Sequence, residues 1–117
     1  MEEYYYMKDP RIEKLARMLI NYSVELKPGE NILIETIGEG LELTKALIKE
    51  AYKVGGVPFV TIKNNEVNRV LYENCTVEQM KKAASYEVAR MKDMQAYIGI
   101  RAAENVSELG AVPADKM

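Results

Sequence analysis

Three short apolar runs, each closed by turn-forming residues and separated from the next by a stretch of helical period, restrict this chain to an alternating α/β fold. The runs are Asn31-Ile32-Leu33-Ile34-Glu35-Thr36, Val57-Pro58-Phe59-Val60-Thr61-Ile62 and Ala96-Tyr97-Ile98-Gly99-Ile100. All three read as strands, and the first, short, bounded by turns and nearly continuously apolar, suits a parallel strand covered on both faces. Pro58 is tolerable because it lies at the start of its run. Before the first run, Asp9 precedes Pro10 and Ile12, Leu15, Ala16 and Leu19 recur at i, i+3, i+4, i+7, so the spacing predicts an amphipathic helix over 10–23. Lys27-Pro28-Gly29-Glu30 is the turn into the strand. From Leu41 the stripe Leu43, Ala46, Leu47, Ala51, Val54 predicts a second helix, ended by Gly55-Gly56. Asn64-Asn65 caps a short helix with Val67, Val70 and Leu71 on one side. Thr76-Val77-Glu78-Gln79 has the capping-box spacing and opens a helix to about Lys92, whose stripe is Val77, Met80, Ala84, Val88 and Met91. Met80, Met91 and Met94 are expected to pack in the core. After the third run a helical turn is expected around Val106 to Leu109.

Helix, strand, helix, strand, helix pair, strand requires crossover connections, and crossovers imply a parallel sheet. The expected architecture is a three-layer Rossmann-like or flavodoxin-like domain with helices on both faces. Right-handed crossovers make 2-1-3 the simplest strand order. One such domain fits 117 residues of which 48% are apolar. Cys75 is the single cysteine and has no internal partner for a disulfide.

Sixteen basic and eighteen acidic side chains leave a net charge of −2, so neither nucleic acid nor an anionic membrane is an expected partner. The opening Met1-Glu2-Glu3-Tyr4-Tyr5-Tyr6 lacks a basic segment followed by an apolar run, and a cytoplasmic location is expected. Histidine is absent altogether. Ser-His-Asp and Cys-His nucleophiles, imidazole acid–base chemistry and most zinc sites therefore cannot be assembled from this chain alone.

Ligands of open parallel sheets collect beyond the carboxyl ends of the strands. That edge is lined here by Thr36–Gly40 and Arg101–Asn105. Gly38-Glu39-Gly40 lacks the third glycine of a dinucleotide fingerprint, which falls on Leu43, and Glu39 and Glu42 would repel a pyrophosphate. It reads as a strand-to-helix turn. No aspartate closes the first or third strand, which argues against a phosphoryl-accepting switch. Arg101, with Glu104 and Asn105, is the candidate cleft-facing cluster, because a guanidinium there can hold a carboxylate bidentately. The alternative is a surface arginine paired with Glu104, a common and weak arrangement. The remaining carboxylates are interleaved with lysine and arginine over separate helices, the pattern of solvated faces rather than a cation site.

Taken in order, Lys8-Asp9-Pro10-Arg11-Ile12-Glu13-Lys14-Leu15-Ala16, Asn21-Tyr22-Ser23, Leu26-Lys27-Pro28-Gly29-Glu30, Ile32-Leu33-Ile34, Leu47, Glu50-Ala51-Tyr52, Gly55, Pro58, Ala96-Tyr97-Ile98, Asn105 and Val112-Pro113 resemble the thermophilic metallo-aminopeptidase family of aminopeptidase T, aminopeptidase S and PepS. The resemblance covers almost the whole chain. It implies that residues 1–117 form a single α/β domain, the N-terminal part of a longer two-domain enzyme that removes N-terminal amino acids from short peptides. In that family a two-metal site of the zinc or cobalt type belongs to a larger C-terminal catalytic domain, and homodimers enclose the active sites. None of the family's metal ligands maps to a position here, so no catalytic or metal-binding residue, and no cofactor, is assigned within this chain, which is expected to be inactive alone. The competing reading is a stand-alone Rossmann-type binding or interaction module.

Overall fold

A computed structural model describes residues 9–102 and the strand 107–110. Helix α1 (Pro10–Met18) starts where the sequence places it: the Asp9 side chain accepts from the Arg11 amide at 3.0 Å. Its stripe continues through a π-helical turn, Leu19–Ser23, so the predicted 10–23 segment is helical with its last turn widened. Strand β1 (Asn31–Gly38), helix α2 (Leu41–Lys53) and strand β2 (Val57–Lys63) follow. Next come α3 (Asn65–Glu73), α4 (Val77–Lys92), β3 (Ala96–Ala102) and β4 (Ser107–Gly110). Asn64 and Thr76 cap α3 and α4, each accepting at 3.0 Å from the third amide along.

The fold is Rossmann-like: β2, β1 and β3 form a parallel sheet in the order 2-1-3. β4 extends it as an antiparallel fourth strand beside β3, with Gly110 opposite Gly99 and Ser107 opposite Ala102. The helical turn expected around Val106 to Leu109 is thus a strand at Ser107–Gly110. Four residues are too few for a period to register, whereas the open edge of β3 presents backbone donors and acceptors that a returning strand satisfies.

Register and alternation divide the sheet into two unlike faces. Ile32, Ile34, Ile98 and Ile100 point to the side of α1 and α2 and join Ala16, Leu19, Ile20, Leu43, Leu47 and Ala51 in one buried cluster. The hydroxyls of Thr36 and Thr44 pair within it, tying β1 to α2. On the opposite face lie Leu33, Glu35, Thr61, Lys63, Tyr97 and Gly99. There α4 reaches the sheet at its C-terminal end, through Arg90 to Thr61.

The stripe on α4 does not enter the core as expected. Val77, Met80 and Val88 are 54–67% exposed, Met91 and Met94 are only half-buried, and α3 and α4 contain no buried residue. Val57, Phe59 and Ile62 on the edge strand β2 are exposed as well, so this run is not covered on both faces. A periodic stripe specifies that a helix has an apolar side, but not which surface that side meets.

Candidate functional site

At the carboxyl edge of the sheet, β1 passes into α2 through Gly38 and Gly40, both with positive φ (84° and 124°), a path that glycine follows without steric cost. Arg101 lies on β3, exposed, in register with Ile37 of β1 and Glu108 of β4. Glu104 and Asn105, the other members of the candidate cluster, lie outside the described residues, as do Tyr4–Tyr6 and Val112-Pro113. Cys75 lies half-buried between α3 and α4.

The densest polar constellation is one the sequence reading passed over. Glu35 is buried in mid-sheet; its Oε1 accepts from the Tyr97 hydroxyl at 2.7 Å and its Oε2 faces the Lys63 ammonium at 3.0 Å. Beside them Arg90 donates to the Thr61 hydroxyl and, at 2.8 Å, to Glu87. The Arg90 Nε is buried and has no partner among the described residues. One signal was available: a glutamate inside an otherwise apolar strand must be paired when buried. Its partners come from two other strands, 28 and 62 positions on, and no local pattern connects them.

Burial alone would push the Glu35 carboxyl up, but the hydrogen bond from Tyr97 and the bond and charge of Lys63, with Arg90 beyond, outweigh it and hold the group below the ordinary carboxylate value. Burial, then the hydrogen bond and charge of Glu35, push the Tyr97 phenol up to about 12. At neutral pH the carboxylate is ionised and the phenol protonated, so neither is poised to exchange a proton near pH 7. The constellation is an interior clamp joining β1, β2 and β3, with α4 held at its side.

The clamp makes stability pH-dependent at both ends. Tyr97 binds its proton more tightly folded than unfolded, so its contribution is complete below pH 10 and is lost as pH rises toward 12. Glu35 works in the opposite sense, contributing above the unfolded carboxylate value and losing that contribution as pH falls through the lowered folded one. Urea unfolding is expected to show the wild type losing about 1–2 kcal/mol more than Tyr97→Phe between pH 10 and 12, after allowance for solvent screening. Parallel curves for the two proteins would contradict this assignment.

A family model described as thermophilic metalloprotease (M29) matches residues 8–117. The chain belongs to this family. M29 membership agrees with the order of short motifs along the chain. The chain is 23% identical over 107 residues to aminopeptidase PepS from Streptococcus thermophilus, an alignment covering 87% of this chain and 26% of that enzyme. It therefore spans about a quarter of the length of the curated relative it matches. The M29 description implies divalent metal in the full-length enzyme. The residues described here do not fit such a centre: no three His, Cys, Asp or Glu side chains converge among them, and the buried Glu35 carboxylate already has Lys63 and Tyr97 at its two oxygens.

Proposed function

We propose that this chain is the N-terminal α/β domain of a two-metal aminopeptidase, shaping access to an active site whose metal ligands lie in a larger C-terminal catalytic domain. The observation that carries this reading is the disproportion of the match: the M29 model spans residues 8–117, and the matched stretch equals 26% of PepS. Three-quarters of such an enzyme lies outside it. The chain has no histidine to offer a metal, and of the two buried carboxylates among the described residues Glu35 is held by Lys63 and Tyr97 and Glu50 by Lys53 and Asn21, which supports placing the zinc- or cobalt-type ions elsewhere. In the full-length enzyme this domain walls a chamber that admits short peptides, within a cytoplasmic homodimer. Among the described residues no helix is long and apolar enough to cross a membrane.

The test has two parts. The purified chain, supplied with zinc or cobalt and a leucyl substrate, is expected to show no turnover and to retain no stoichiometric metal; turnover with bound metal would overturn the proposal. The encoding gene is expected to continue past the Met117 codon into sequence containing histidines and glutamates. A stop codon there would favour the stand-alone binding module.

A further inference from the structure

The α3–α4 pair is begun correctly, with both caps made, yet its apolar sides are bare. Val67, Val70 and Leu71 on α3 and Val77, Met80 and Val88 on α4 are 51–67% exposed. Where the two helices meet, Leu71, Tyr72, Cys75, Gln79, Met80 and Ala83 line an open, mainly apolar groove of about 250 Å³. On α3 the charged Glu66, Arg69 and Glu73 lie on the side away from Val67, Val70 and Leu71, so polar and apolar sides are segregated there, and on α4 Glu78 and Lys82 lie off the Val77–Met80–Val88 stripe, which Lys81 borders. Such segregation on paired helices marks a surface that is covered in the working protein.

We propose that this side of the α3–α4 pair is the docking surface for the polypeptide that follows residues 8–117 in a full-length M29 enzyme. The proposal rests on the reading of the chain as an N-terminal domain. Two observations favour this occupant. The matched stretch accounts for 26% of PepS, so a full-length member carries ample further chain to cover the surface. Other flanks of the sheet are already occupied: α1 and α2 cover one face over β1 and β3, and β4 closes the β3 edge. What stays open includes the groove shared by α3 and α4 and, on the face of the sheet that carries Glu35, the exposed Val57 and Phe59 of edge strand β2, which α3 follows directly.

Cys75, the chain's single thiol, reports on the groove. Its alkylation by N-ethylmaleimide is followed by mass spectrometry of the peptide that contains it, in this chain alone and in the full-length product of its gene. Alkylation is expected to be at least about tenfold slower in the full-length protein, because covered segments react only through local opening. Leu71→Lys with Met80→Lys is expected to leave the melting temperature of this chain unchanged and to lower that of the full-length protein. Equal alkylation rates together with unchanged melting in both proteins would overturn the docking surface while leaving the accessory-domain reading intact. A dimer of this chain alone that protects Cys75, seen by light scattering, would assign the surface to a second copy instead. A gene product ending at Met117 would remove both the docking surface and the reading it rests on.

Discussion

Gly99→Ala will destabilise the domain by about 2–4 kcal/mol, although alanine is ordinarily the better strand residue. A Cβ at position 99 would lie 2.9 Å from the Tyr97 hydroxyl oxygen and 3.3–3.4 Å from the ring carbons. The ring cannot swing aside without surrendering its 2.7 Å bond to Glu35, which would leave a buried carboxylate with Lys63 alone. Nor can the strand retreat easily, since β1 flanks it on one side and β4 on the other. The cost therefore combines overpacking with the loss of a hydrogen bond to a charged acceptor. Urea unfolding of Gly99→Ala, Tyr97→Phe and the double variant separates these contributions. Phenylalanine has no hydroxyl to displace, so Gly99→Ala should cost less in the Tyr97→Phe background by at least about 1 kcal/mol. Strictly additive costs would show that the two positions do not act together.

A second large loss is expected at Leu47. This side chain is fully buried between α2 and the sheet, against Ile32 and Ile34 of the same cluster, and Leu47→Ala should cost about 2–5 kcal/mol through lost transfer energy and the cavity left behind. That is a substantial share of the roughly 5–15 kcal/mol that holds a domain folded. Val88 provides the contrast. It occupies the same kind of stripe position on α4 but is 54% exposed, so Val88→Ala in this chain should change stability by no more than about 0.5 kcal/mol. Chemical denaturation of both variants checks the pair. Similar losses at Leu47 and Val88 would mean that the α4 stripe is buried in this chain in solution.

The contrast between Leu47 and Val88 also shows how far local pattern reaches. Both lie on amphipathic helices that begin and end where caps, glycine turns and spacing place them. The strand order 2-1-3 likewise follows from the handedness of crossovers, with no need of long-range information. Arg101 was legible as a residue of the sheet's carboxyl edge, and it is found there, on β3. Of the Glu35–Tyr97–Lys63 clamp only the need of Glu35 for a partner was legible; Tyr97 and Lys63 were not, because the three are brought together by parallel register alone. β4 escaped for a related reason: its strand character comes from the edge it covers.

Residue order was sufficient for most of what depends on neighbours within a turn or two of one another: the type and approximate bounds of every element from α1 to β3, the alternation that demands crossovers, and the lack of any imidazole with which to build a metal or nucleophile site. Three-dimensional packing settled the rest. It made one face of the sheet a filled core and the other a polar clamp, and it left the α3–α4 stripes facing outward. The physical reason is that helical and strand periods arise from local backbone geometry, whereas burial and pairing energies belong to surfaces that meet only after chain segments dozens of residues apart have converged.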